Sequence, residues 1–263
     1  MNIHHSFFLD NTMVNLNRIR FYFSTYLVQF HKYFYKLIQY KYRNVRLKMS
    51  KLKQGLLISI EGIDGSGKST LANNLRDKLQ KNKLPVVLTY EPGDTKFGKQ
   101  LREILHEKKY NICGKSEFLL FASDRAQHFQ DIIIPKLKEK NIILSDRMAD
   151  SSVAYQGYGR GIEIDMIDTI NRWVMQGITP DITFYINISL ESALKRLKKR
   201  KGRPTSFEQE KEKFTKKIIN GFEKIFKENP RAIILDGEQS PEMLTKIAYA
   251  NIKQWLNNNN MII

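Results

Sequence analysis

The stretch Gly62-Ile-Asp64-Gly65-Ser66-Gly67-Lys68-Ser69 carries glycines, a lysine and a hydroxyl at the spacing that cradles a polyphosphate. It follows the β-branched run LLISIE and precedes the helical pattern STLANNLRDKL, the context such a loop needs. Gly62, Gly65 and Gly67 let the backbone curl until its N–H groups face an anion, and the N-terminus of the next helix adds partial positive charge. Lys68 would then reach the β- and γ-phosphates, and the Ser69 hydroxyl would ligate Mg2+. Asp64 and Ser66 belong to the same loop, and Thr70 falls in the first helical turn. A second chemical pair, Asp146-Arg147, ends the apolar run Ile142-Ile-Leu-Ser. Asp146 is placed to hold Mg2+ through water, and Arg147 to clamp a phosphate.

Such residues act together only if a rigid frame brings them to one edge. From Gly55 onward, short apolar runs alternate with longer amphipathic patterns, as in βα units built on a parallel sheet. Five strands are expected: Leu56 to Glu61, Pro85 to Tyr90, Ile142 to Asp146, Ile182 to Ile188 and Ala232 to Leu235. Helices of period 3.6 include Ser69 to Gln80, Ser116 to Glu139, Asp165 to Met175 and Ser189 to Lys199. Right-handed crossovers then make an α/β fold, a three-layer doubly wound five-stranded parallel sheet with ligands at the carboxyl ends of its strands.

With 263 residues, 41% of them hydrophobic, the chain can bury one domain with an appendage, which excludes a disordered or fibrous protein. The single cysteine, Cys113, excludes an intramolecular disulfide framework and a Cys-rich metal site, so a reducing, cytoplasmic setting is expected. A net charge of +17 calls for acidic partners, among which phosphorylated small molecules, nucleic acid and anionic membrane all qualify. Within residues 1 to 48, Arg18, Arg20, Lys32, Lys36, Lys41, Arg43, Arg46 and Lys48 face only the acid Asp10. No uncharged run there reaches the roughly 18 apolar residues of a membrane span. We read residues 1 to 48 as a basic, aromatic extension and 49 to 263 as the folded domain. The extension is an organelle-targeting arm, an interfacial helix or upstream sequence read through from a misassigned start; the last is favoured because Met49 opens a compact lead, MSKLKQGLLISIEG, into the first strand. The chain's five histidines form neither a nucleophilic triad nor a ligand cluster in the sequence.

Four further blocks stand in order behind the phosphate loop. They are Glu91-Pro-Gly-Asp-Thr95 with Gly98-Lys-Gln-Leu-Arg102; Phe121-Ala-Ser-Asp-Arg125-Ala-Gln-His128; Asp146-Arg-Met-Ala-Asp-Ser-Ser152-Val-Ala-Tyr155-Gln156-Gly-Tyr-Gly-Arg160; and Pro180-Asp-Ile-Thr-Phe-Tyr185. Together they resemble thymidylate kinases of the bacterial kind over about residues 55 to 257. The resemblance implies a P-loop nucleotide kinase fold with a short lid at about 195 to 210, ATP and Mg2+ as cofactors, and dTMP as the acceptor. It also implies a homodimer, with nucleic acid not expected as a partner. By the same resemblance Phe121 stacks on thymine and Arg125 donates to its O4, an assignment that suits an aromatic face and a planar donor. Ser152 and Gln156 would bond the rest of the base edge, and Tyr155 would crowd the 2′ position. Arg102 and Arg147 would bind the dTMP phosphate, while Asp64 and Glu91 would lie near the sugar 3′-hydroxyl and the metal. No general base is required, because a phosphate monoester with a second pKa of about 6 is already mostly dianionic at neutral pH. On its own, Arg125 on a mixed helix reads as a solvated charge.

Three departures from the family pattern stand out. Tyr90 replaces an Arg before Glu91, Met148 replaces an aromatic or His after Arg147, and Ser206 stands where the lid supplies an Arg. Arg203, between Gly202 and Pro204, is the first candidate for the lid cation and Arg200 the second, with Arg160 next; the alternative is that Lys195, Arg196, Lys198, Lys199 and Arg200 form a solvated helix face. Two other readings stay open: a P-loop kinase for UMP or a deoxynucleoside, and a basic nucleic-acid-binding P-loop protein. Since nothing in residues 1 to 48 matches the family, a chain starting at Met49 is expected to keep full turnover; loss of activity in a folded, soluble Met49 chain would contradict this.

Overall fold

The computed structural model describes the backbone of residues 7–9 and 12–14, and residues 51–106, 110–199, 212–227 and 229–261. Two compact units divide at Met49 and Ser50. Within the first, β1 (Phe7–Leu9) and β2 (Thr12–Val14) pair antiparallel, Phe7 opposite Val14. The second unit holds everything that follows. Among the described residues, no helix is long and apolar enough to cross a membrane.

Five strands, β3 (Leu56–Glu61), β4 (Val86–Tyr90), β5 (Ile142–Asp146), β6 (Ile182–Asn187) and β7 (Ala232–Asp236), form one parallel sheet in the order β4-β5-β3-β6-β7. The expected strands are these, with ends shifted by no more than one residue. Both faces of β3 are buried, as in a sheet covered on two sides: Leu56, Ile58 and Ile60 point to one core and Leu57 to the other. The first core is closed by α1 (Lys68–Lys81) and α9 (Pro241–Asn258), which bring Leu71, Leu75 and Ile252. The second is closed by Phe129 and Ile133 at the end of α3 (Gly114–His128).

The long helix expected from Ser116 to Glu139 starts two residues earlier and is not uniform. It widens into π turns at Phe129–Ile133 before resuming as α4 (Ile134–Lys138), which begins immediately before Pro135. The missing Pro135 N–H and its ring favour such a local widening. Four helices lie outside the examples read from the sequence: α2 (Lys96–His106), α5 (Ala149–Ser152), α8 (Glu212–Lys227) and α9. Short α5 (Ala149–Ser152) leads into π turns at Val153–Gly159, followed by α6 (Ile164–Val174) and α7 (Leu190–Lys199). The π turns pack against α8 so closely that a Cβ on Gly221 would stand 2.8 Å from the Tyr158 ring.

Register decides where the chemistry falls. Ile60 and Tyr90 both align with Asp146, so the chain leaves β3, β4 and β5 at one level of the carboxyl edge. The phosphate loop, Glu91 and Arg147 follow directly. Phe222 anchors the aromatic stack under this edge: it is fully buried, with ring centroids 5.3 Å from Tyr185 and 5.9 Å from Phe226. Phe222→Ala is therefore expected to lower stability by about 3–5 kcal/mol in urea unfolding. A change under about 1 kcal/mol would mean that this stack is not part of the core.

Candidate active site

The loop after β3 takes the expected form. Gly62, Gly65 and Gly67 have φ of 146°, 81° and 103°, and a Cβ on Gly65 would sit 2.6 Å from the Ala193 carbonyl of α7. Gly67 caps α1 without a side chain, leaving the first N–H groups of the helix directed at the loop. Lys68 folds back so that its buried Nζ donates to the Ile63 carbonyl at 2.8 Å. Ser69 Oγ donates to Asp146 Oδ2 at 2.5 Å, so the two residues expected at the metal converge across strands. Their oxygens suit a hard cation such as Mg2+. Ser66 Oγ is buried and, among the described residues, has no hydrogen-bond partner. Thr70 is exposed in the first turn of α1 and lines the cleft.

Arg147 leaves β5 with φ 76° and is gripped from three sides. Its Nη2 pairs with Asp64 and donates to the Tyr155 hydroxyl at 3.2 Å; its Nη1 donates to Ser151 Oγ at 3.1 Å and the Gly62 carbonyl at 3.2 Å. Burial pushes the Asp64 carboxyl up, but Arg147 and Lys68 outweigh it and hold the group below the usual range. Glu61, at the end of β3, accepts from Ser151 at 2.5 Å and from the Met148 N–H at 2.7 Å, fixing the turn that carries Arg147. An acid closing an otherwise apolar strand was its signal in the sequence.

Arg125 contradicts its solitary reading as a solvated charge: it is 1% exposed. The reason is a complete set of acceptors. Nε donates to Glu91 Oε2 at 2.8 Å, Nη1 to Asn171 at 2.5 Å, and Nη2 to the Met148 carbonyl and Ser152 Oγ, each at 3.1 Å. Glu91 has its other oxygen 2.9 Å from His128, so both of its oxygens are engaged by protein groups. Burial pushes the Glu91 carboxyl up, yet Arg125 and His128 hold it below the usual range. Gln156 is buried and donates to Glu117 at 2.9 Å, while Arg102 donates to the Pro92 carbonyl at 2.6 Å and lies 5.7 Å from the Tyr90 ring centre.

One cleft of about 630 Å³ is walled by Lys68, Ser69, Asp146 and Arg147 and by Arg102, Phe121, Arg125, Ser152, Tyr155 and Gln156. Arg196 of α7 also borders it. Set aside in sequence as part of a solvated face, it donates instead to the Ser66 carbonyl at 3.1 Å and the Gly237 carbonyl at 2.7 Å. Arg160 pairs with Glu117 at 3.0 Å and lies 4.3 Å from the Phe214 ring centre. Arg200, Arg203 and Ser206 lie outside the described residues.

A parallel sheet of this strand order, with a phosphate loop running from its central strand into α1, defines an α/β protein of the P-loop nucleotide kinase class. The family model described as Thymidylate kinase matches residues 60–247. The chain is 39% identical over 202 residues to the thymidylate kinase of Halothermothrix orenii, spanning 76% of this chain and 97% of that protein. It is 41% identical over 202 residues to that of Kosmotoga olearia, spanning 76% and 95%. A crystal structure of thymidylate kinase from Ehrlichia chaffeensis matches with a TM-score of 0.61 and 33% identity, covering 76% of this chain and 99% of that one. The chain belongs to the thymidylate kinase family.

Burial, joined by the nearby Arg147 charge, lowers the Lys68 pKa to about 8. A phosphate beside it raises that value, so between the two pKa values binding must draw a proton from solution. Calorimetry of ATP binding at about pH 9, in buffers of different ionisation heat, is expected to show uptake of close to one proton that Lys68→Ala abolishes. Uptake that is absent, or unchanged in the variant, would contradict the placement of Lys68.

Proposed function

We propose that this cleft is where dTMP receives the γ-phosphoryl group of ATP, giving dTDP and ADP for dTTP synthesis. The observation that carries the reading is the sharing of one cleft by a phosphate-gripping wall and a wall with a buried, directed guanidinium. On the donor wall, the loop N–H groups and Ser66 take the triphosphate, and Lys68 neutralises charge between its β- and γ-phosphates. Ser69 and Asp146 would hold Mg2+, which would supply positive charge to offset that of the phosphates. On the acceptor wall, Arg102 and Arg147 hold the dTMP phosphate in line. Phe121 stacks on the base, with Arg125, Ser152 and Gln156 at its edge, and Tyr155 narrows the sugar site. Arg147 is poised between Asp64 and the phosphates, so it serves positioning and charge neutralisation at once. Arg203 is our lid cation, with Arg200 the second choice.

We also propose a homodimer. Met166 and Trp173, seven residues apart on one face of α6, are 52% and 78% exposed, and Leu119 on the neighbouring α3 is 54% exposed. Apolar side chains of this size gathered on two adjoining helices suit an isologous interface.

A coupled assay of ATP consumption with dTMP, dUMP, UMP and CMP tests the reading. Turnover is expected with dTMP above the others, falling on the order of 10²- to 10³-fold in Lys68→Ala and in Asp146→Ala. Preference for UMP or CMP, or near-normal turnover in either variant, would overturn it.

A further inference from the structure

The Gln156 amide that borders the cleft has two ends that read a base in opposite senses, one giving hydrogens and the other accepting them. An amide turned over fills the same space, so shape alone does not fix its sense. Glu117, which does not itself line the cleft, does so. Gln156 is 2% exposed, and its Nε2 donates to Glu117 Oε1 at 2.9 Å. Glu117, in the first turn of α3, is 8% exposed and forms an ion pair with Arg160, whose Nε and Nη2 donate to Oε1 and Oε2 at 3.3 and 3.0 Å. The carboxylate of that pair accepts and cannot donate, so the end of Gln156 beside it is the NH2 group. Among the described residues, Gln156 Oε1 receives no hydrogen bond.

The nearby guanidinium has the opposite sense. Arg125 gives its Nε hydrogen to Glu91, one Nη1 hydrogen to Asn171, and its two Nη2 hydrogens to the Met148 carbonyl and Ser152 Oγ. Among the described residues, one Nη1 hydrogen is left over. The cleft is thus bordered by a remaining donor on Arg125 and a remaining acceptor on Gln156. The edge of a 4-keto pyrimidine, a carbonyl oxygen beside N3–H, matches that pair. The cytosine edge, an amino group beside a bare ring nitrogen, is inverted at both positions.

We propose that Glu117 is a positioning residue that sets base specificity. By holding Gln156 through Nε2, it presents the amide carbonyl to the N3–H of a 4-keto pyrimidine and turns away the cytosine edge, while Arg160 holds Glu117 in place. The inference deepens the reading of this cleft as the dTMP site and rests on it.

Glu117→Gln separates polarity from packing, because it keeps the shape of the side chain but can donate as well as accept, which frees Gln156 to turn over. The probe is 5-methyl-dCMP, which keeps the methyl group and sugar of dTMP and inverts only the base edge. In steady-state assays the wild type is expected to favour dTMP in kcat/KM by about 10³-fold or more. Glu117→Gln is expected to raise the KM for dTMP about tenfold and to lower that preference about tenfold, with kcat for dTMP and the KM for ATP within about twofold. A merely structural lesion would weaken both nucleotides alike, so an unchanged preference overturns the proposal even if KM rises. If Glu117→Gln does not fold, Glu117→Asp, which draws the carboxylate back by one carbon, is read by the same ratio; a fall of about threefold is expected, and no change overturns the proposal. A wild type that turns over no dTMP overturns the kinase reading and this inference with it, whereas dTMP turnover with an unchanged ratio overturns the inference alone.

Discussion

A guanidinium cannot be deprotonated to escape burial, so Arg125 can lie inside this domain only if its surroundings supply acceptors in its own plane. That constraint organises the acceptor half of the molecule. Glu91 comes from the loop after β4, the Met148 carbonyl and Ser152 from the segment after β5, and Asn171 from α6, while Arg125 itself comes from α3. Four separately folded stretches therefore meet at one side chain. Removing it would leave Glu91 partly uncompensated in a buried setting, which is far more costly than losing a surface pair.

The donor half follows a different logic, that of a backbone shaped to hold an anion. Here the cations are few and the N–H groups many, and the positive φ of the loop glycines does what side chains do on the other wall. The halves meet at Arg147, whose partners Asp64, the Gly62 carbonyl and Tyr155 come from both. A parallel sheet is what permits the meeting, because every strand delivers its following loop to the same edge.

Much of this was legible in the sequence because the signals are local. Strand ends follow from where apolar runs stop, and the phosphate loop from spacing within eight residues. Side-chain partnership across the fold was not legible. Arg125 gives no sign that an acid 34 positions earlier and an amide 46 positions later will bury it. Arg196 sits in a run of cations where nothing distinguishes the one that turns toward Ser66 and Gly237. His128 likewise carries no sign that Glu91 and Thr89 will enclose its ring. The π turns at Val153–Gly159 were equally hidden, since they depend on the close approach of Gly221 to Tyr158 rather than on any local pattern.

Glu91 is where the family resemblance and the geometry pull apart. The resemblance places it near the sugar and the metal, whereas one of its oxygens accepts from Arg125 and the other lies against the His128 ring. Our account holds that Glu91 serves the acceptor by orienting Arg125. Calorimetric dTMP affinities of the wild type, Glu91→Gln, Arg125→Met and the double variant decide the matter. We predict that Glu91→Gln weakens binding in the wild-type background and has no further effect once Arg125 is methionine. An equal loss in both backgrounds would show that Glu91 meets the nucleotide itself and would contradict the account.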